Sequence, residues 1–214
     1  MQYKPEYETA ARMLPEFYTE AAPISITVPD VALQVRAQTY RNMQAQWKTR
    51  HQATVYQADG VNSKLDTSYR KTDMFLAAVY AGEFAELTLA VQDAARQFGL
   101  KNVQPLHPWW LAGYGLGGKF DEHCDLALRQ VGGMYKVVEP RALTALYYIN
   151  SQGDDVWGFE GGDLEFPGLL PKRIYKPVGG QLIVFPSHWG YSHLVTEITK
   201  GYRMVATNFF SKNH

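Results

Sequence analysis

His193-Leu194-Val195-Thr196-Glu197-Ile198-Thr199-Lys200-Gly201-Tyr202-Arg203-Met204-Val205-Ala206-Thr207-Asn208-Phe209-Phe210 reads as two apolar, β-branched strands punctuated by Lys200-Gly201. Two turns are open to it. A two-residue loop at Lys200-Gly201 sets His193 and Arg203 on opposite faces. A three-residue loop, Thr199-Lys200-Gly201 with Gly201 left-handed as a bulge, pairs Ile198 with Tyr202 and sets His193 opposite Thr207. His193, Val195, Arg203, Val205 and Thr207 then share one face. Glycine at the position that needs positive φ favours this second register.

Outward from this stretch, the texture after Pro108 stays the same. Trp109 to Tyr114, Thr144 to Asn150, Asp163 to Phe166 and Gln181 to Phe185 are short, apolar or aromatic, and bounded by Gly and Pro. The first hundred residues lean helical. Asp30 to Arg50 has few breakers. Glu83 to Leu100 carries Leu87, Val91, Ala94 and Phe98 at helical spacing, with Gly99 as a stop. Tyr56 to Tyr69 is polar and mixes loop with short strand. Helices first and strands afterwards predict an α+β fold. Two facing antiparallel sheets satisfy the pattern: a jelly roll, or double-stranded β-helix, flanked by amino-terminal helices, with the core between the sheets and one end open. Residues 1–214 are expected to form a single domain, 1–105 as mainly helical support and 106–214 as the jelly-roll core.

Composition excludes several classes. The 214 residues carry 21 basic and 21 acidic side chains, so no broad basic field attracts nucleic acid or an anionic membrane. One cysteine excludes an internal disulfide framework. Met1 to Pro15 is charged and lacks the apolar core of a signal peptide, and no apolar run is long enough to span a bilayer. A cytoplasmic protein is expected.

His123-Cys124-Asp125 is the chemical counterpart of His193. On an extended strand, residues i and i+2 point to one face, so His123 and Asp125 project together and Cys124 turns away as a small hydrophobe. With His193 they make two imidazoles and one carboxylate on one side of a metal. That set, with its other positions open, suits a non-haem Fe(II) that must also bind a cosubstrate and O2. Arg203 has the planar fork to grip a carboxylate at two points. An inward Arg among Val195, Val205 and Thr207 is costly unless paired, and a bound carboxylate is a better partner than Glu197. The remaining histidines read differently. His188, bracketed by Pro186 and Gly190, is expected at a solvated rim, with a substrate contact as the alternative. His107 is expected in a turn, and His51 and His214 at the surface. Tyr147 and Tyr148 are neighbours on a strand, so one faces each way.

These residues resemble the Fe(II)/2-oxoglutarate-dependent dioxygenases, specifically the prolyl 4-hydroxylase-like branch. The resemblance runs from Tyr114 to Phe210. It rests on the spaced Tyr114, Gly118, Phe120, His123 and Asp125, on Ala145-Leu146-Tyr147-Tyr148-Ile149-Asn150, and on Gly161-Gly162-Asp163-Leu164-Glu165-Phe166. Leu182 to Ser187 followed by His193-Leu194-Val195, and the turn Thr199-Lys200-Gly201-Tyr202-Arg203, complete it. In the amino-terminal half, Ser68-Tyr69-Arg70-Lys71-Thr72 loosely resembles an arginine-bearing segment of the branch. The resemblance implies that His123, Asp125 and His193 hold Fe(II). Arg203 would bind the distal carboxylate of 2-oxoglutarate with the Tyr148 hydroxyl and Thr207. Tyr114 would lie near the cosubstrate or iron, and Leu146 and Leu164 would line the apolar part of the pocket. It also implies O2 as oxidant, ascorbate (vitamin C) as an accessory factor, and hydroxylation of an unactivated C–H bond with release of succinate and CO2.

Rival readings are answered by single residues. Asp125 argues against halogenating relatives, in which a small residue replaces the carboxylate. Nucleic-acid demethylating relatives carry a second Arg six residues after the first, where this chain has Phe209. A zinc hydrolase would leave Arg203 and Tyr148 unexplained, and a metal-free jelly-roll binding module would leave the three donors unexplained. Ser151 to Glu160 is a polar, glycine-containing loop with Trp157 and Phe159. Trp157, Trp189 and Tyr191 are expected to form an aromatic rim for substrate, with loop packing as the alternative for Trp157. A peptidyl proline or similar residue is the expected substrate. A free amino acid or small natural-product intermediate is the alternative. Oligomeric state is not legible.

Overall fold

The computed structural model describes residues 22–28, 33–45, 51–52, 55–56, 63–64, 66–75, 84–131, 134–153 and 157–212. Met1 to Pro15, His214 and part of the Ser151 to Glu160 loop lie outside the described residues. Every residue of the strand Leu143–Tyr148 is buried, so this strand is covered on both faces. Alternation then sends its side chains to two different places. Leu143, Ala145 and Tyr147 join a cluster beneath the helices, while Leu146 and Tyr148 join a second cluster between the sheets. Its neighbours split the same way. Leu182 and Val184 face the helices and Ile183 and Phe185 the second sheet. Met204, Ala206 and Phe210 face the helices, and Val205 does not.

The major sheet runs in the order Ile24–Thr27, Gln181–Pro186, Leu143–Tyr148, Arg203–Lys212, Trp110–Tyr114, Asp73–Phe75 and His51–Gln52, with Val103–Pro105 pairing the far end of Arg203–Lys212. The minor sheet runs Arg173–Tyr175, Leu164–Phe166, His193–Val195, Lys119–His123 and Arg70–Lys71. Pairing within both is antiparallel. An antiparallel hairpin, Ala127–Val131 with Met134–Glu139, follows Asp125 directly. The helix Ala85–Ala95 buries Leu87, Val91, Ala94 and Ala95 on the major sheet, continues as a tight turn over Arg96–Phe98, and stops at Gly99 with φ 73°. The helix Leu33–Ala45 buries Met43 beside it. This is the expected α+β double-stranded β-helix with helices on one side. Among the described residues no helix is long and apolar enough to cross a membrane.

Three expectations change. The hairpin at Thr199-Lys200-Gly201 does not form. His193–Val195 lies in the minor sheet, Ile198–Lys200 pairs with Glu160–Gly161, and Arg203–Lys212 is central in the major sheet. His193 is therefore opposite His123, while Thr207 is opposite Leu146 and Trp110. Local alternation cannot say whether consecutive strands pair or change sheets, because both leave one apolar face inside. Gly201 does take positive φ, 74°, but to let the chain cross beside Gly158 and Phe159, where a Cβ would come 2.5 Å from the Gly158 carbonyl oxygen. The core is not only between the sheets, for the larger apolar cluster lies between the major sheet and the helices. Residues before 106 also supply strands to both sheets, at Ile24–Thr27, His51–Gln52, Asp73–Phe75 and Arg70–Lys71. Ile24-Ser25-Ile26-Thr27 does alternate, with both Ile partly buried and Ser25 and Thr27 exposed, but the other three strands are too short to show a period.

Gly162 shows how closely the crossing is packed. Its φ is +72°, and a Cβ would stand 2.5 Å from Ile198 Cδ1 and 2.9 Å from Arg203 Cδ. Gly162→Ala combines an unfavourable backbone with two contacts too short to keep. It is expected to lower unfolding free energy by more than about 1 kcal/mol in urea denaturation.

Candidate metal centre and cosubstrate pocket

His123 ends the strand Lys119–His123, and Asp125 lies just beyond it. The register places His193 opposite His123 on the neighbouring strand. One donor atom from each of His123, Asp125 and His193 lies within 4.8 Å of the others. His123 Nε2 is 3.6 Å from Asp125 Oδ1, and His193 Nε2 is 3.6 Å from Asp125 Oδ2. Those gaps are too long for hydrogen bonds. They are within the span that a cation with bonds of about 2.0–2.2 Å can bridge.

The far nitrogen of each ring sets the tautomer. His123 Nδ1 is 2.8 Å from the Asp121 carbonyl and His193 Nδ1 is 3.1 Å from the Tyr191 carbonyl. A carbonyl only accepts, so both Nδ1 atoms carry the proton and both Nε2 lone pairs face Asp125. Burial, followed by the nearby His193, lowers the His123 pKa to about 3, so its ring is neutral at physiological pH. Burial pushes the Asp125 carboxyl up, but His193, His123 and the Thr144 hydrogen bond outweigh it and hold it below its ordinary range. Phe120 stacks on the His123 ring with centroids 3.5 Å apart, and Phe166 and Phe185 flank His193. Two imidazoles whose Nε2 atoms face one carboxylate, fixed in orientation and walled by aromatic rings, fit Fe(II).

Arg203 lies in the interior from the major sheet, 1% exposed. Its guanidinium carbon is 4.6 Å from the Tyr114 ring centroid and 5.1 Å from that of Tyr148. Among the described residues its Nε and Nη1 have no close hydrogen-bond partner, and the Tyr148 hydroxyl has Arg203 itself as its polar neighbour. Glu197 is exposed and no ion pair joins the two. Burial raises the Tyr148 pKa against the opposing pull of Arg203, which keeps the hydroxyl protonated and able to donate. Leu146, Leu164, Ile183, Val195 and Val205 form the apolar cluster around these groups. A buried fork with two open nitrogens beside a protonated tyrosine hydroxyl, in an apolar pocket, fits a carboxylate with a short aliphatic stem. Strand alternation puts Thr207 on the Arg203 face, partly buried.

The aromatic residues expected at a rim are dispersed. Tyr191 is 1% exposed and packs in the cluster between the sheets. The Trp157 ring stacks on Tyr40 of the helix Leu33–Ala45, centroids 5.0 Å apart, on the helix side of the major sheet. Trp189 is half-buried in the tight turn that leads to His193. His188 is buried rather than solvated, because its Nδ1 accepts from the Gly190 N–H and closes that turn. His107 stacks face to face on Trp110, centroids 3.8 Å apart. Several neighbours of the donors were not legible as such. Thr144 and Ser187 hydrogen-bond behind Asp125, Arg141 Nη1 reaches the Asp125 carbonyl at 3.3 Å, and the Arg70 guanidinium lies 4.5 Å from the Phe120 ring centroid. Thr144 precedes Leu146 by two residues, so strand parity alone places it on the site face.

A sequence profile of the 2OG-Fe(II) oxygenase superfamily matches residues 109–211. A PKHD-type hydroxylase of Nitrobacter winogradskyi is 30% identical over 93 residues, which are 44% of this chain and 38% of that protein. A PKHD-type hydroxylase of Pseudomonas fluorescens Pf-5 is 31% identical over 94 residues, again 44% and 38%. The match thus spans little more than a third of the length of these curated relatives. A prolyl hydroxylase from Trichoplax adhaerens, solved with a hypoxia inducible factor peptide fragment, superimposes with a TM-score of 0.66 over 99% of this chain and 94% of its own, at 15% identity. A Pseudomonas putida prolyl-4-hydroxylase gives 0.60 over 98% and 100%, at 18% identity. The profile thus places the 2OG-Fe(II) oxygenase pattern on segment 109–211, and the solved structures show that the chain shares its fold with prolyl hydroxylases. The family implies Fe(II), 2-oxoglutarate and O2.

Arg203→Ala is expected to weaken 2-oxoglutarate binding by on the order of 2–5 kcal/mol, and Arg203→Lys by less. Anaerobic titration of the Fe(II) protein, followed by its visible charge-transfer band, measures both. Cys124 supplies a second check. Burial raises its thiol pKa to about 11. At pH 8 it therefore holds about 100-fold less thiolate than an unperturbed cysteine, and alkylation by iodoacetamide is expected to be correspondingly slow until the protein is unfolded.

Proposed function

We propose that the protein is an Fe(II)- and 2-oxoglutarate-dependent hydroxylase acting on an unactivated C–H bond of a peptidyl proline or similar residue. The observation that carries the reading is the pairing of three convergent donors with a buried guanidinium that has two open nitrogens, in one interior. His123, Asp125 and His193 would hold Fe(II). When bound, the iron and 2-oxoglutarate supply O2-dependent oxidation of the C–H bond, with release of succinate and CO2. Arg203 would grip the distal carboxylate, the Tyr148 hydroxyl would donate to it, Tyr114 would flank it, and Thr207 would add a contact. Leu146 and Leu164 would exclude water from the stem of the cosubstrate, which strengthens the charged grip. Ascorbate would serve as an accessory reductant. One catalytic domain in a cytoplasmic setting fits the lone cysteine.

A prolyl substrate is supported by what the similar proteins are named for: PKHD-type hydroxylases by sequence and prolyl hydroxylases by fold. A free amino acid or small natural-product intermediate is the second reading. It is favoured by the dispersal of the aromatic rim, since neither Tyr191 nor Trp157 stands free to stack on a peptide. Trp189 stays in the first reading as a substrate contact.

Succinate release against a panel of proline peptides and free amino acids tests the two readings. Peptide-dependent turnover is expected, and its loss in folded His123→Ala, Asp125→Ala and His193→Ala variants. Full activity in any of the three overturns the assignment. Trp157→Ala is expected to lower thermal stability and to reduce substrate hydroxylation and uncoupled 2-oxoglutarate decarboxylation together, because its ring packs loop on helix. A selective loss of hydroxylation would return it to the substrate site.

A further inference from the structure

Asp125 is held from behind as well as facing the two histidines. Thr144 Oγ1 donates to Asp125 Oδ2 at 2.8 Å, and the same Oγ1 lies 2.8 Å from Ser187 Oγ. Thr144 is 0% exposed and Ser187 1%, so water does not compete. A threonine hydroxyl has one proton, and a carboxylate only accepts. The Thr144 proton is therefore committed to Oδ2, and the Ser187 proton must supply the other contact. The chain has one direction, from Ser187 to Thr144 to Asp125.

Local structure fixes both hydroxyls. Thr144 pairs with Phe185 across adjacent strands of the major sheet. Ser187 follows that neighbouring strand, and its N–H donates to the Ala142 carbonyl at 3.0 Å. Asp125 comes from beyond the end of a minor-sheet strand, so the two hydroxyls tie the ligand of one sheet to the framework of the other. Each carboxylate oxygen is 3.6 Å from one histidine Nε2. They differ behind: Oδ2 already holds the Thr144 proton, while Oδ1 accepts no hydrogen bond among the described residues.

We propose that Thr144 and Ser187 are a positioning dyad that occupies Asp125 Oδ2 and presents Oδ1 to the cation. The carboxylate then offers one oxygen and not two. Two imidazoles and one carboxylate oxygen leave three positions on a six-coordinate ion; a chelating carboxylate would remove one of them. The dyad thus keeps room at the metal for cosubstrate and O2. The inference rests on reading the site as an Fe(II) centre.

Co(II) binding and its visible spectrum test the dyad without turnover. The absorption of bound Co(II) weakens as its coordination number rises. Thr144→Val keeps the shape and removes the donor. It is expected to weaken Co(II) affinity about 10–100-fold, to change the Co(II) spectrum, and to diminish the charge-transfer band that 2-oxoglutarate gives with the anaerobic Fe(II) protein. Thr144→Ser is expected to restore all three. Ser187→Ala is expected to shift affinity in the same direction by less. A folded Thr144→Val variant with wild-type affinity, spectrum and band overturns the dyad. If Thr144→Val does not fold, Ser187→Ala with wild-type affinity and band overturns it instead. A Co(II) spectrum that His123→Ala leaves intact would overturn the metal site itself, which separates the two failures.

Discussion

Three donors can hold a cation well only if they are in place before it arrives, and one strand pairing does most of that. His193 opposite His123 fixes the spacing of the imidazoles through backbone hydrogen bonds, not through side-chain contacts that a missing ion would leave loose. The carbonyls of Asp121 and Tyr191 then set which nitrogen is free, each from two residues before its own histidine. Strand geometry thus supplies both position and ring orientation. The aromatic walls of Phe120, Phe166 and Phe185 limit how far either ring can swing.

Against that rigid frame stands a group that is poorly satisfied. Arg203 is a full charge in an apolar interior with two nitrogens unpaired. The faces of Tyr114 and Tyr148 offset part of its desolvation through their ring quadrupoles. The rest persists because the framework over-determines the position: Arg203 pairs with Tyr114 in the centre of the sheet, and Gly162 leaves just enough room for its stem. An anion that reaches this fork completes a hydrogen-bonding set the folded chain has left open, which is a physical basis for affinity toward a carboxylate.

What was legible in the sequence follows the reach of each rule. Parity along a strand placed Tyr147 and Tyr148 on opposite faces and turned Cys124 away from its neighbours, because these depend on two or three residues. The helix Ala85–Ala95 and its stop at Gly99 were legible for the same reason. The path from His193 to Arg203 was not. The two residues do face one interior, but across facing sheets and not along one hairpin, and alternation is identical in both arrangements. Trp157 and Tyr191 show the converse limit: an aromatic in a polar loop gives no hint of whether Tyr40 or a substrate waits beside it. Parity gives Thr144 only the face it shares with Leu146 and Tyr148; its link to Ser187, forty-three residues on, has no signal until two strands bring them together.

The two-sided burial of Leu143–Tyr148 has a consequence for how such a chain can change. Its odd-numbered side chains, Leu143, Ala145 and Tyr147, pack toward the helices, and its even-numbered ones, Thr144, Leu146 and Tyr148, toward the chamber between the sheets. The strand is a partition wall whose two surfaces can be rewritten independently. Altered helix packing can accumulate on one side while the chamber keeps its chemistry, and the chamber can be reshaped residue by residue without loosening what holds the wall upright.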